Sequence, residues 1–157
     1  MLSRKGGRGV EPGILRLVPS VNVELVRSIC ADWERGDYRS SDWAHPDIEW
    51  VFADGPSPGQ WTGLDGMATA FRQWGAAWED FRIKAEEFRD LDDERVLVLT
   101  RYTGRGKTSG VALDEIGTQG ISVFHVQAGK VMRYVVWFDR ERAFAELGLT
   151  PNADAGA

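Results

Sequence analysis

Apolar residues recur along this chain with two different periods, and the change from one to the other divides it. Between Ser20 and Arg35 the period is helical: Leu25, Ile29 and Trp33 fall on one face with Val26 beside them. Ser20 suits an N-cap, Glu24 sits in the first turn, and Gly36 is a natural stop. Asp37 to Trp43 is expected to form a short second helix that ends before His45-Pro46. Asp47 to Phe52 alternates, with Ile48, Trp50 and Phe52 on one side, and predicts a strand. Asp54 to Gly63 holds two prolines and three glycines and reads as a loop. From Leu64 to Trp78 the helical period returns, with Met67, Phe71, Trp74 and Trp78 as a bulky stripe whose simplest use is core packing.

Beyond Trp78 the alternation of strands takes over. Phe81 to Phe88 and Arg95 to Thr103 flank an acidic turn, Asp90 to Glu94, and Gly104 to Gly117 is a glycine-rich loop. Thr118 to Asp139 predicts a long hairpin turning at Gln127-Ala128-Gly129, with Gly129 at positive φ in a three-residue loop and Val126 facing Lys130. One hairpin face carries Gly120, Ser122, Phe124, Met132, Tyr134, Val136 and Phe138. The other carries Ile121, Val123, His125, Val131, Arg133, Val135 and Trp137. Both faces are too apolar to lie bare, so one covers an interior and the other requires a cover of its own. A second copy of the chain is the expected cover for the latter face, giving a homodimer. Asp139 suits the N-cap of a last helix, Arg140 to Leu147, closed by Gly148 and Leu149. Helices grouped before a run of antiparallel strands argue for an α+β fold. Residues 20–150 form one domain, with tails at 1–19 (glycine-rich, basic and expected to be disordered) and 151–157.

Composition narrows the function classes. A chain of 157 residues is large enough for one real core. A net charge of −5 gives no reason to expect a nucleic-acid or anionic-membrane surface. No apolar run is long enough to span a bilayer. Cys30, the single cysteine, can form no internal disulfide, which fits a reducing cytoplasm. The two histidines, His45 and His125, have no metal-ligand spacing, so no metal is expected. Phosphate-binding, dinucleotide and nucleophile-elbow motifs are absent, and no cofactor is expected. Seven tryptophans are many for this length, and such side chains fill a core, line a pocket or cover an interface.

The order of elements, with HPDIEW at His45 to Trp50, TSG at Thr108 to Gly110, AGKV at Ala128 to Val131 and WFDRERAFAELGL at Trp137 to Leu149, resembles the SnoaL-like branch of the nuclear transport factor 2-like superfamily. The resemblance covers Ser20 to Leu149. It implies a cone in which a curved antiparallel sheet wraps the N-terminal helices around an apolar cavity, with dimers formed through the outer sheet face. It also implies a choice between ketosteroid isomerase-like or cyclase-like catalysis and plain binding. The family's catalytic groups can be sought position by position. The first-helix tyrosine falls at Ile29, the general base at Val51 or Phe52, and the buried aspartate at Ser122. All three family groups are missing: an isoleucine side chain cannot donate a hydrogen bond, and neither valine nor phenylalanine can take a proton. Asp54 lies close to the missing base.

The remaining candidates come from the residues themselves. Ser122 and Tyr134 share a hairpin face, expected opposite each other, and a buried hydroxyl needs a partner that a ligand could supply. Arg101 stands mid-strand and requires a carboxylate if it faces inward; Tyr102 takes whichever face Arg101 does not. His125 shares its face with Arg133 and Trp137, which suits an outer surface, and His45 suits a turn. The expected ligand-binding set is Trp50, Phe52, Ser122, Phe124, Met132, Tyr134, Val136 and Phe138. The weak catalytic candidates are Asp54, Arg101 and Tyr134. Two functions stay open: a binder of a small hydrophobic molecule, or a cofactor-free isomerase, cyclase or dehydratase acting on a polyketide-, terpenoid- or steroid-like substrate.

Overall fold

The computed structural model describes residues 19–55, 57–107 and 119–149. Helix α1, Val21–Glu34, is capped as its sequence suggests: the Ser20 hydroxyl accepts from the Val23 N–H at 3.0 Å. The segment after it is not helical. There the Asp37 carboxylate accepts from the Arg39 N–H at 3.1 Å, a local side-chain bond that competes with helix formation. Strand β1, Ala44–Phe52, starts earlier than the alternation suggested and runs through Pro46. A proline is tolerated there because the register shifts between Ala44 and Glu49, leaving the residues between them out of the ladder to the neighbouring strand. The stretch expected to be loop contains a short strand, β2, Gly59–Thr62, paired with the end of β1. Helix α2, Gly63–Ala77, stops where Trp78 turns extended, and strand β3, Trp78–Asp90, begins at once. Strand β4, Arg95–Gly106, pairs with β3 and with β5, Gln119–Gln127. Strand β6, Lys130–Trp137, returns from β5 and leads to helix α3, Arg140–Leu147.

The described strands form one sheet in the order β2-β1-β6-β5-β4-β3. Its pairings are antiparallel except for β1 against β6, which is parallel and makes the sheet mixed. Such a pairing of strands far apart in sequence leaves no local trace. Register shifts along β3 and β6 help the sheet curve around α1 and α2. No described helix is long and apolar enough to cross a membrane.

The hairpin turn corrects one expectation. Ala128 and Gly129 both have positive φ, 51° and 78°, so the loop has two residues of the type I′ kind and Gln127 faces Lys130. Val126 therefore faces Val131, not Lys130. A bulge follows: His125 pairs with Arg133, and Met132 is the extra residue. Past the bulge Phe124 lies opposite Tyr134, and Ser122 opposite Val136. Tyr134 and Val136 keep the face they were expected to have, whereas Val131 turns into the main core.

Two apolar cores lie on the two sides of the sheet. The inner one joins Val26, Ile29 and Trp33 of α1 and Met67 and Ala70 of α2 to Ile48, Trp50, Phe124 and Tyr134 of the sheet. The outer one joins Leu97, Ile121, Val123, Val135 and Trp137 to Ala143 and Phe144 of α3. The Asp139 carboxylate accepts from the Arg142 N–H at 3.2 Å at the start of α3, and Gly148 at φ 73° closes it. The outer hairpin face is thus covered by the chain's own last helix. Its apolar character therefore does not by itself require a second copy.

Candidate functional site

Between α1, α2 and the inner face of the sheet lies a cavity of about 190 Å³. Its walls are mostly aromatic. Trp33 comes from the buried stripe of α1, Phe71 and Trp74 from that of α2, and Trp50 and Phe52 from alternate positions of β1. Phe81 and Ile83 of β3, Tyr102 of β4, Tyr134 and Val136 of β6, and Phe138 complete the wall, with Tyr38 and Gly75. The rings brace one another. Trp50 stacks on Tyr134 with centroids 4.1 Å apart, Trp74 on Phe138 at 5.1 Å, and Phe81 on Tyr102 at 5.9 Å.

Of the residues expected to touch a ligand, Trp50, Phe52, Tyr134, Val136 and Phe138 line this cavity. Three do not. Phe124 packs behind the wall against Trp33 and Tyr134. Ser122 is fully buried behind it too, and its hydroxyl shares a hydrogen bond of 3.1 Å with that of Tyr134. Met132 is carried away from the wall by the bulge. Trp33, Tyr38, Phe71, Trp74, Phe81 and Tyr102 are lining residues that the sequence reading left out. For Phe71 and Trp74 the signal was present as the helical stripe, which suits a core equally well. For Tyr102 it was the alternation with Arg101. Tyr38 gave none, because its segment has no periodicity.

Among the described residues no carboxylate, ammonium, guanidinium or imidazole lines the cavity. Its ionisable groups are tyrosines held neutral by burial. The Tyr102 hydroxyl is pushed up to about 12 by desolvation; the nearby hydroxyls of Thr100 and Ser122 temper the rise without reaching full hydrogen-bond geometry. Burial likewise raises Tyr134 well above its ordinary value, and the charge that Tyr102 would carry adds to the rise. Behind the wall, the Cys30 thiol is pushed up to about 12 by burial.

Asp54 is a buried carboxylate beside Phe138 of the wall. It is 8% exposed, and one oxygen accepts from the Phe138 N–H at 2.6 Å while Oδ2 is buried without a partner among the described residues. Its evident local effect is to hold Phe138 in place. Gly55 next to it allows the Phe138 ring to approach: a Cβ there would lie 2.5 Å from the ring, at a φ of 93°. Arg101 points outward and pairs with Glu86 at 3.0 Å, leaving the inner side to Tyr102. His125 pairs with Glu94 at 2.8 Å near the hairpin turn, and the His45 ring accepts from the Asp47 N–H at 2.9 Å within the irregular start of β1 and not in the expected turn. Among the described residues no group of histidine, cysteine and carboxylate side chains could hold a metal ion.

Known proteins were compared with this fold and sequence. A protein of the nuclear transport factor 2-like fold and unknown function from Burkholderia pseudomallei K96243 superposes with a TM-score of 0.66 at 22% identity, over 81% of this chain and 97% of that one. A nuclear transport factor 2-like protein from Burkholderia thailandensis E264 gives 0.65 at 24% identity, over 75% and 90%. TerC, co-crystallised with polyporic acid, gives 0.64 at 24% identity, over 82% and 98%. No curated protein matches the sequence. The SnoaL-like domain family matches residues 26–134, well over half of the chain, which spans the elements from α1 to β6 that build the cavity; the chain belongs to the SnoaL-like domain family.

Proposed function

We propose that this protein binds a small, uncharged molecule with one or two rings in its aromatic cavity, and that it binds without catalysis. The observation that carries this reading is the wall itself: carbon-rich, aromatic and, among the described residues, without a charged side chain. A charged ligand would be desolvated there with nothing to neutralise it. A far simpler apolar cavity of about 150 Å³ is enough to hold benzene, so about 190 Å³ suits a molecule somewhat larger. TerC, of similar fold, was co-crystallised with polyporic acid, which supports a ligand-holding use of this fold. The test is a tryptophan-fluorescence titration with neutral naphthalene derivatives and with charged 2-naphthoate. The neutral compounds should bind and the carboxylate should not. Gly75→Leu, at a helix position with open space around its Cβ, should weaken binding without unfolding the protein. Failure of every neutral ring compound to bind overturns the reading.

One observation favours the second reading, a cofactor-free isomerase, cyclase or dehydratase. Asp54 is buried with a free oxygen, beside Phe138 of the wall. A desolvated carboxylate at a cavity edge is the kind of group that abstracts a proton next to a carbonyl. If it does so, turnover of a polyketide-like ketone will vanish in Asp54→Asn while the ketone still binds. A ketone that binds to the intact protein and never exchanges its α-protons with deuterated solvent removes this reading.

A further inference from the structure

Phe138 and Asp139 are neighbours in the chain that serve opposite sides of the sheet. The Phe138 ring belongs to the cavity wall, stacked on Trp74 at 5.1 Å and tilted on Tyr102 at 5.1 Å. The Asp139 carboxylate and carbonyl accept from the N–H groups of Arg142 and Ala143, at 3.2 and 3.1 Å, and so start α3. That helix has 8 residues, too few to stand in water on its own propensity. It keeps its shape through its caps and through what it covers, the outer core under Ala143 and Phe144.

One buried side chain holds the point where the two sides meet. Asp54 accepts from the Phe138 N–H at 2.6 Å, a short charge-assisted bond. Burial leaves water little room to replace that bond, and the other carboxylate oxygen has no partner among the described residues. Beside it the Ala53 N–H donates to the Val136 carbonyl at 2.9 Å, and Gly55 leaves room for the Phe138 ring. On α3 the Arg142 guanidinium holds its proton more firmly than usual. Its bond to Glu146 is the main cause, and the charges of Asp54 and Asp139 add to it. Asp54 is therefore within electrostatic reach of the helix as well as bonded to the wall.

We propose that Asp54 is a positioning residue that locks the Phe138 ring and α3 into one unit, so that the seating of the inner wall governs the cover over the outer face. Displacing Phe138 moves the start of α3, and a helix this short loosens when its cap is lost. Leu97, Val123 and Val135 are then uncovered. Arg140 donates to the Thr100 and Gly120 carbonyls at 3.0 and 3.3 Å. These bonds tether the first turn to the sheet, so the cover opens and recloses without leaving the molecule. The coupling holds whether or not a ligand enters the cavity.

The experiment is backbone hydrogen exchange, followed by NMR on the full chain in low urea. In the unaltered protein the Phe138 amide, bonded to Asp54, and the amides of Ala143 and Phe144 should open together with the same urea dependence. Asp54→Ala should speed exchange at Ala143 and Phe144 by about two- to tenfold, the range of one net hydrogen bond. Asp54→Asn keeps an acceptor for the Phe138 N–H and should restore most of the protection. Phe138→Ala should speed α3 exchange by about tenfold or more. Phe81→Ala removes a neighbouring wall ring and should lower global stability while leaving α3 exchange within about twofold of the natural rate. A Phe138 amide that stays protected while Ala143 and Phe144 open overturns the inference. So does α3 exchange as fast in Asp54→Asn as in Asp54→Ala, or as fast in Phe81→Ala as in Phe138→Ala. The measurement on the unaltered protein decides the matter even if a variant fails to fold.

Discussion

The inner and outer faces of strands β5 and β6 are built from alternate residues of the same short stretch of chain, yet they are completed differently. Outside, Ile121, Val123, Val135 and Trp137 lie under Ala143 and Phe144 of α3, and the one indole there is bonded to Glu146. Inside, large rings from α1, α2 and four strands meet around empty space, and donors on Trp74, Tyr38 and Tyr102 are left over. Branched aliphatic side chains interdigitate under a short helix and leave few voids. Rigid aromatic rings in edge and stacked contacts hold one another apart as readily as they fill a space. The two faces therefore differ in how completely their side chains fill the space beside the sheet.

The largest expected effect tests whether the inner rings also bear the fold. Trp33 touches six other rings: Tyr38, Trp43, Trp50, Phe71, Phe124 and Tyr134. Trp33→Ala should destabilise by about 3–5 kcal/mol in urea unfolding. Phe144→Ala, on the outer face, should fall at the low end of that range, about 3 kcal/mol, because α3 lies at the chain's margin. A Trp33 variant as stable as the natural protein would show that the inner rings pack loosely and serve the cavity alone.

High pH sharpens the contrast, because the buried groups with raised pKa values are inner. Cys30 and Tyr102 ordinarily titrate at 9.0 and 10.0, and both are pushed up to about 12 in the fold. Each is neutral when protonated, so the folded state holds these protons longer than the unfolded chain does. The resulting stabilisation is complete below the unfolded values and is lost as pH rises from about 9 towards 12. The urea midpoint should fall between pH 8 and pH 11, and less steeply in Tyr102→Phe. An equal fall in both proteins would place the sensitive group elsewhere. In the folded protein at pH 8, Cys30 should resist alkylation.

Two smaller effects separate packing from binding. Tyr134→Phe removes the hydroxyl bonded to Ser122 and should lower stability by about 0.5–1.5 kcal/mol while changing ligand affinity less than twofold. A several-fold loss of affinity would make the Tyr134 hydroxyl part of the binding site. Gly75→Ala places a methyl in open space on α2 and should stabilise the protein by about 0.5–1 kcal/mol through helix propensity. It also narrows the cavity, so stability should rise as affinity falls. A rise in both would take Gly75 out of the cavity wall.

Much of this was legible before any coordinates. The three described helices lie within a residue or so of where period and caps placed them, because Ser20, Asp139 and Gly148 act through bonds to near neighbours in sequence. The inner positions of Trp50, Phe52, Tyr134, Val136 and Phe138 followed from alternation, which a strand obeys wherever it is placed. Met132 escaped the same logic because a bulge adds one residue and reverses the side to which the next side chain points.

What the chain determined by itself is therefore local: caps and periods. What only the tertiary structure decided is everything that depends on distant partners. The parallel join of β1 to β6, the cover that α3 lays over the outer face, and the meeting of both Trp74 and Tyr102 with Phe138 all link residues far apart in the chain. Whether a donor is satisfied is likewise a property of what stands beside it. Tyr134 and Tyr102 are the same residue type with the same inward facing. Ser122, brought in from another strand, bonds the Tyr134 hydroxyl, whereas the Tyr102 hydroxyl lies near Thr100 and Ser122 without reaching full hydrogen-bond geometry.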